Sequence, residues 1–240
     1  MPGLRVLVLG GTTEGRALAQ RVPVISSLAG RTSSPLLPHG EVRIGGFGGV
    51  AGLAGYLRAA GIEALVDATH PFAATMTSHA VAAAALTGVP LLVLRRPGFS
   101  AVSGDVWHRV PSLGAAASVL PSLGSRVFLT TGRQGLSTFA DLSEISFLSR
   151  SVEAPEPPMP SRLDVILDRG PFTVAGEREL LREHRIDVLV TKDSGGGTAK
   201  LDAARAEAVP VVMVDRPPLP EGVAAAATVD DAVSWLDSRS

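Results

Sequence analysis

Cysteine is absent from this chain of 240 residues, and aromatic side chains make up only 4% of it. The lack of cysteine excludes disulfide bonds, thiolate catalysis and clusters held by cysteine ligands. With few aromatic rings and a formal net charge of -1, the chain has neither the stacking surface nor the basic face that nucleic-acid binders use. We therefore expect no nucleic-acid partner.

Long apolar runs are lacking as well. No stretch reaches membrane-spanning length, and Gly10 and Glu14 interrupt the apolar start where a signal peptide would need its hydrophobic region. We therefore expect a cytoplasmic protein without membrane contact. Its 45% hydrophobic content is ample for the core of one large domain or of two modest ones.

What the sequence does contain is a regular alternation of short apolar runs with helical, mostly alanine-rich segments. In the first half, strands are predicted at residues 6–9, 22–25, 42–44, 65–66 and 91–94, and helices at 16–20, 50–60 and 73–86. In the second half, strands are predicted at residues 126–130, 145–148, 165–167, 187–190 and 211–214, and helices at 113–120, 172–184 and 199–208. A last helix begins at Thr228 with a capping-box-like pattern.

This alternation predicts an α/β fold. Continuous apolar strands separated by helices are typical of parallel sheets that are covered on both faces. We therefore predict two Rossmann-like domains, each a mostly parallel sheet flanked by helices, with a ligand cleft between them. The predicted domains cover residues 1–100 and 101–240, and a run at 106–110 could pair with either sheet.

The chain opens with a strand, a glycine-rich turn and a helix in direct succession. Residues 10–15 match the dinucleotide-binding pattern except that Thr12 replaces the middle glycine. Glycines allow close approach to a pyrophosphate, and the first amides of the helix point at the anion. The residues alone leave open both a nucleotide loop and a plain strand-to-helix turn. The candidate nucleotide-binding residues are Gly10, Gly11, Thr12, Thr13, Glu14 and Gly15.

Two further loops follow predicted strands. Residues 26–34 contain no acid but include Arg31 with flanking hydroxyl side chains. At this place in a Rossmann fold a carboxylate binds the ribose of NAD, whereas an arginine accommodates the 2′-phosphate of NADPH. A phosphate-binding Arg31 is therefore favoured over a solvated loop arginine. Residues 45–49 place four glycines around Phe47, which indicates that something must approach this backbone closely.

One histidine follows the fourth predicted strand, in the stretch Asp-Ala-Thr-His-Pro-Phe at residues 67–72. His70 could donate a proton or hydrogen-bond a carboxamide, or it could be an ordinary loop residue. His79 gives no metal-binding spacing with His70, and no metal site is predicted.

The strand ends of the second half carry cations. Arg133, Arg169, Lys192 and Lys200 follow predicted strands beside glycines and hydroxyl groups, an arrangement suited to carboxylates or phosphates. Ordinary surface charge is the alternative for each of them. Ser194 lacks the G-x-S-x-G setting, so it is not predicted to be a nucleophile.

Several of these stretches together resemble the precorrin-6A reductase family. The resemblance rests on residues 10–15, 29–32, 45–49, 67–73, 131–133, 169–171 and 191–196. It extends from the first strand to Arg216 and Pro217, which is nearly the whole chain. One departure is Asp193, where the family pattern leads us to expect asparagine and where a negative charge would lie beside an anion site.

The resemblance implies an NADPH-dependent oxidoreductase of cobalamin biosynthesis that reduces one double bond of precorrin-6A to give precorrin-6B. The first domain would hold the cofactor and the second a polycarboxylate tetrapyrrole, and hand-over contacts with neighbouring pathway enzymes would follow. His70 is then the candidate catalytic residue. Beyond residues 10–15, the cofactor set includes Arg31, Thr32, Gly46, Phe47, Gly48 and Thr69. The substrate set is Arg133, Arg169, Lys192, Ser194, Gly195, Gly196 and Lys200.

Two other classes of protein stay open from the residues alone. A transferase that uses S-adenosylmethionine also binds glycine-rich Rossmann loops, but it would want an acid after the second strand, where none is present. A non-catalytic nucleotide-sensing module would leave the cations of the second half without a ligand.

Overall fold

Two parallel sheets of six strands each organise the chain, as seen in a computed structural model that describes residues 4–30 and 36–239. The first unit combines Met1–Pro97 with Pro217–Ser240, and the second comprises Gly98–Arg216. None of the helices within the described residues is long and apolar enough to cross a membrane.

Most strands are followed by a helix, as the apolar pattern predicts, and the others are followed directly by another strand. The strands are β1 (Val6–Leu9), β2 (Ile25–Leu28), β3 (Glu41–Ile44), β4 (Ala64–Asp67), β5 (Leu91–Leu94), β6 (Trp107–Val110), β7 (Arg126–Leu129), β8 (Ser146–Ser151), β9 (Leu163–Leu167), β10 (Val188–Lys192), β11 (Val211–Val214) and β12 (Ala224–Ala226). The helices are α1 (Thr13–Arg21), α2 (Val50–Ala59), α3 (Ala74–Thr87), α4 (Leu113–Val119), α5 (Val174–Glu183), α6 (Ala199–Ala206) and α7 (Val229–Asp237). Short 3-10 helices cover Leu120–Ser122 and Arg133–Phe139.

The first sheet has the strand order β12-β5-β4-β1-β2-β3, and all its pairings are parallel. Successive side chains of a strand point to opposite faces, so the buried strand β1 supplies both cores. Val8 packs with residues of α1 and α7 on one face, while Leu7 packs with residues of α2 and α3 on the other. Helices on both faces explain why β1 and β4 are buried along their whole length without alternation.

The second sheet has the strand order β6-β11-β10-β7-β8-β9, again with parallel pairings throughout. Its centre is the fully buried Phe128 of β7, which belongs to one core with Leu181 of α5 and Leu201 of α6. Both units are thus doubly wound α/β sheets, which confirms the predicted fold class. The carboxyl ends of the strands, where open parallel sheets bind ligands, define where a site should lie in each unit.

The observed division of the chain differs from the predicted one at its end. The first boundary falls between Pro97 and Gly98, close to the predicted residue 100, but residues from Pro217 onward return to the first unit. Strand β12 pairs with β5 there, and α7 joins the core of α1. Three alanines have low strand propensity, so β12 gives no sequence signal. The run at 106–110 belongs to the second sheet, since β6 pairs with β11.

The second strand begins three residues later than predicted. Val22 still donates its amide to the Leu18 carbonyl and ends helix α1, and Pro23 then separates helix from strand. Strand β2 therefore contains Ser26 and Ser27, which are buried rather than part of a loop. Small hydroxyl side chains in a buried strand mimic loop composition, and this made the sequence pattern misleading.

Candidate functional site

The turn between β1 and α1 is built around Thr12. Its hydroxyl accepts a hydrogen bond from the Gly15 amide at 3.1 Å and donates one to the Ala68 carbonyl at 2.7 Å. The side chain thus caps α1 and ties the turn to the end of β4. A side chain at Gly15 would crowd the Ala68 methyl group at 3.3 Å. Threonine therefore replaces the middle glycine of the dinucleotide pattern for a structural reason.

The surface of this turn fits an anionic group. Gly11 has a φ of +115°, which favours glycine, and a side chain there would meet nothing within 4 Å. The first-turn amides of α1 lack carbonyl partners within the helix and carry its positive dipole end. The donor set is therefore backbone N–H next to open space, which is what a pyrophosphate requires.

The acid in this turn is neutralised by a residue that the sequence interpretation did not single out. Glu14 forms an ion pair with Arg96 at 2.8 Å, and each side chain is 20% exposed. Arg96 follows β5 in the pair Arg95-Arg96, so adjacent arginines directly after an apolar strand were the available signal. The pairing removes the repulsion that a lone carboxylate would exert on a bound phosphate.

The glycine-rich loop after β3 is also open. Gly45, Gly48 and Gly49 have φ values of +122°, +77° and +90°, and a side chain at any of them would meet nothing within 4 Å. Arg43 contacts this loop at several points. Its guanidinium lies 3.9 Å from the centroid of the Phe47 ring and donates hydrogen bonds to the carbonyls of Gly45 and Gly46. Sequence reasoning found the glycines but not this arginine.

The loop after β4 is fixed by a buried carboxylate. Asp67 is 1% exposed and accepts hydrogen bonds from the Thr69 amide at 3.0 Å, the Thr69 hydroxyl at 2.7 Å and the Thr77 hydroxyl at 2.6 Å. His70 is exposed, and its Nδ1 accepts from the Phe72 amide at 3.2 Å. A neutral His70 in this geometry carries its proton on Nε2.

The three loops that hold most of the predicted cofactor residues meet at one edge. They follow β1, β3 and β4, and the neighbouring order β4-β1-β2-β3 places them along the carboxyl end of the first sheet. Gly10 to Gly15, Gly46 to Gly48 and Thr69 share this edge. Arg31 and Thr32 lie outside the described residues.

In the second unit, the ends of β7 and β10 are joined by a lysine. Lys192 donates from Nζ to the Thr131 carbonyl at 2.9 Å, and burial lowers the pKa of its ammonium group. Thr131 is 5% exposed, and within the described residues its hydroxyl has no hydrogen-bond partner. Gly132 follows with a φ of +80°. A half-buried cation, a buried hydroxyl group and a glycine turn thus lie together at this edge.

Asp193, the departure from the family pattern, is enclosed by cations rather than aimed at an anion site. Its carboxylate accepts from Arg109 at 2.8 Å, from the Phe99 amide at 2.7 Å and from Arg216 at 3.3 Å. Burial opposes ionisation, but the hydrogen bonds from Arg109 and Phe99 and the charge of Arg216 outweigh it, so the pKa of Asp193 is lowered. The charge of Asp193 is therefore balanced within the second unit, and the role of this loop in substrate binding stays a prediction.

The remaining predicted substrate residues differ in their surroundings. Arg133 forms an ion pair with Glu153 at 3.0 Å and lines a cavity of about 280 Å³ that Gln134, Ser137 and Glu156 also line. Lys200 places Nζ 5.5 Å from the centroid of the Phe99 ring.

Arg169 lies apart from Lys192 along the second sheet. It is exposed and follows the edge strand β9, three strands from β10. At about 4.8 Å per strand this separates it from Lys192 by roughly 14 Å.

The Ser194 hydroxyl lies 3.5 Å from the Gly195 carbonyl oxygen, and Gly195 and Gly196 continue the turn with φ values of +68° and +89°. Across residues 4–30 and 36–239, no group of three or more His, Cys, Asp or Glu side chains is arranged to hold a metal ion.

Comparisons with known proteins agree along the whole chain. A family model described as precorrin-6x reductase CbiJ/CobK matches residues 5–237. Precorrin-6A reductase of Rhodococcus erythropolis is 55% identical over 243 residues, with 97% of each chain covered, and that of Mycobacterium tuberculosis is 52% identical with the same coverage.

A solved structure shows the same fold. CobK precorrin-6A reductase superimposes with a TM-score of 0.92 at 44% sequence identity, covering 98% of this chain and 97% of that one. A family match over residues 5–237, together with relatives of this identity and coverage, is decisive. The chain belongs to the precorrin-6x reductase family.

Proposed function

We propose that this protein reduces one double bond of precorrin-6A with NADPH, giving precorrin-6B in cobalamin biosynthesis. The observation that carries the proposal is the family match, which spans both units rather than the nucleotide-binding half alone. The relatives of high identity are named precorrin-6A reductase, an oxidoreductase activity on a carbon–carbon bond. When bound, the reduced nicotinamide supplies a hydride, and a proton completes the saturation of the bond.

The first unit is proposed to hold the cofactor. Its fit rests on the open Gly11 backbone, the first-turn amides of α1 and the glycine loop after β3. Asp67 fixes the loop of Thr69 and His70 at the same edge. His70 presents Nε2 as its proton-bearing nitrogen, so it could deliver the proton, and it is proposed as an assisting residue in this role.

The second unit is proposed to bind the macrocycle through its carboxylates. Lys192 and the buried Thr131 hydroxyl offer donors at the ends of β10 and β7. Arg133 is already paired with Glu153, so a substrate carboxylate would have to replace that partner. Arg169, Lys200 and the Ser194–Gly196 turn complete the proposed set.

The first prediction concerns cofactor choice. We expect the purified protein to bind NADPH more tightly than NADH and not to bind S-adenosylmethionine, and to reduce precorrin-6A with NADPH. Arg31→Ala should raise the Michaelis constant for NADPH by about tenfold to a hundredfold, because a charge-assisted contact contributes about 1.5–3 kcal/mol. Calorimetric titration of the three ligands and initial rates measure this.

Three outcomes of these titrations would contradict the proposal. Equal effects of Arg31→Ala on NADPH and NADH would contradict a 2′-phosphate contact. Binding of S-adenosylmethionine would favour a transferase, and binding of NADPH without turnover of the macrocycle would favour a nucleotide sensor.

The second prediction concerns the substrate. We expect Lys192→Met to weaken binding of precorrin-6A by about tenfold and to leave NADPH affinity unchanged, because a charged donor to a carboxylate is lost. Binding by the wild type should weaken as salt rises, since salt screens charge pairs over about 8 Å at physiological ionic strength. Paired titrations at low and high salt measure both effects.

Arg162→Met is the matched control, since it also removes one positive charge. Arg162 is exposed and directly precedes β9, so it lies at the amino end of the strands, whereas Lys192 lies at their carboxyl end. Arg162→Met should change neither affinity. If Lys192→Met weakened NADPH binding and spared the macrocycle, the assignment of the two units would be reversed.

A further inference from the structure

Arg43 lies where the ends of three strands of the first sheet meet. Its Cα is in register with Ser27 of β2, and its Nη1 lies 3.4 Å from the Ser27 hydroxyl oxygen. The Ser27 carbonyl in turn accepts a hydrogen bond from the Gly10 amide at 2.8 Å. Ser27 therefore lies between the guanidinium and the turn that fits a pyrophosphate, and it contacts both.

The charge of this half-buried guanidinium has no carboxylate partner within the described residues. Arg96, at the same edge, is paired with Glu14 at 2.8 Å, whereas Arg43 contacts only neutral oxygens and aromatic rings. A half-buried cation without a counter-ion favours the binding of an anion. Among residues 4–30 and 36–239, no carboxylate pairs with this guanidinium to balance its charge.

The guanidinium is also held rigidly. It lies 3.9 Å from the Phe47 ring centroid and 5.3 Å from that of Tyr56, and it donates to the Gly46 carbonyl at 2.8 Å. Guanidinium carries five donors in a fixed fork, so these contacts leave N–H groups that can reach a phosphate. Because the side chain is already ordered, little conformational entropy would be lost when an anion binds.

The position identifies the kind of anion. Strand β3 lies two strands from β1, or about 10 Å, which matches the span from a pyrophosphate to the far side of an adenosine ribose. In Rossmann folds the group that reads the 2′ position of that ribose lies near the end of the second strand. Arg43 reaches this point from β3, across Ser27.

We propose that Arg43 also binds the 2′-phosphate of the dinucleotide and so contributes to the preference for NADPH over NADH. The inference rests on the proposed function and assigns part of the discrimination to a residue of β3 that the sequence pattern did not indicate. It does not require Arg31, which belongs to the loop after β2.

The test is calorimetric binding of NADP⁺ and NAD⁺ to three variants of the full chain. Arg43→Gln should weaken NADP⁺ binding by about tenfold to a hundredfold and change NAD⁺ binding by less than about threefold. Arg43→Lys keeps the charge but not the fork, so its loss for NADP⁺ should be smaller. Arg58→Gln is the matched control: Arg58 donates to the Leu86 carbonyl at the far end of α2, and its removal should affect neither ligand.

Three results would overturn the inference. Unchanged NADP⁺ affinity in Arg43→Gln would remove the contact, and equal losses for both dinucleotides would make Arg43 only a support of the glycine loop. If Arg43→Gln does not fold, Arg43→Lys decides by the same comparison. A wild type that binds neither dinucleotide would contradict the proposed function itself, and the inference with it, before any variant is compared.

Discussion

Asp193→Asn is expected to lower the free energy of unfolding by about 1–3 kcal/mol, whereas Asp215→Asn should lower it by less than about 1 kcal/mol. Both carboxylates pair with Arg109, but the side chain of Asp193 is 7% exposed and that of Asp215 is 43% exposed. Asp193→Asn takes this carboxylate from the guanidinium of Arg216, whose side chain is only 18% exposed, whereas an exposed pair such as Arg109 with Asp215 contributes little. Urea unfolding at pH 7 of the wild type and both variants measures the difference.

The effect should depend on pH with a defined sign. Because the pKa of Asp193 is lowered from its ordinary value of 3.8 in the folded protein, its ionisation stabilises the fold above that pH. The stabilisation is lost as pH falls through the lower folded pKa, so wild type and Asp193→Asn should converge in acid. Equal destabilisation by the two variants, or a difference that persists unchanged in acid, would show that Asp193 does not anchor Arg109 and Arg216.

The contacts of Asp193 also show why part of the site could not be predicted. The carboxylate bonds to the Phe99 amide 94 residues earlier and to Arg109 84 residues earlier. Sequence reasoning recognised an unexpected acid beside a glycine turn, but nothing local to residues 191–196 indicates which cations surround it. Pairing across such separations depends on tertiary packing, and a single sequence does not encode it in any short pattern.

Other parts of the fold could be predicted from local sequence patterns. Strands Leu91–Leu94 and Val211–Val214 have the bounds that their apolar runs predict, because strands buried on both faces are continuous in apolar residues. The glycine turns after β1 and β3 were found for a similar reason, since positive φ values favour glycine locally. The prediction failed where composition contradicted structure, as in the three alanines of β12 and the two buried serines of β2.

The candidate site likewise has parts that the sequence predicts and parts that it does not. The backbone-built parts, at residues 10–15 and 45–49, are visible in sequence as glycines. The side chains that support them, Arg96 and Arg43, are visible only once the sheet is assembled. Arg133 shows the reverse case, because its strand-end position suggested a receptor for anions while the structure pairs it with Glu153. Its role in substrate binding stays a proposal.

Gly52 offers the sharpest test of the glycine loop, and Gly55 is its internal control. Both lie in helix α2. A Cβ added at Gly52 would lie 2.8 Å from the Phe47 carbonyl carbon and closer still to its oxygen, whereas one added at Gly55 would meet nothing within 4 Å. Backbone cannot rotate away as a side chain can, so Gly52→Ala must move the loop at Phe47.

We expect Gly52→Ala to lower kcat/KM for NADPH by about a hundredfold, because displacement of a binding element by about 1 Å costs about that much. The shift would also separate Phe47 from the Arg43 guanidinium, and overpacking typically lowers the free energy of unfolding by about 1–3 kcal/mol. Gly55→Ala should instead stabilise the protein by about 0.5–1 kcal/mol, because alanine is the better helix former, and should leave turnover unchanged. Initial rates, NADPH titrations and thermal unfolding of the two variants give the comparison. The affinity for precorrin-6A should be the same in both variants. Wild-type turnover in a folded Gly52→Ala variant would mean that the loop after β3 does not bind the cofactor.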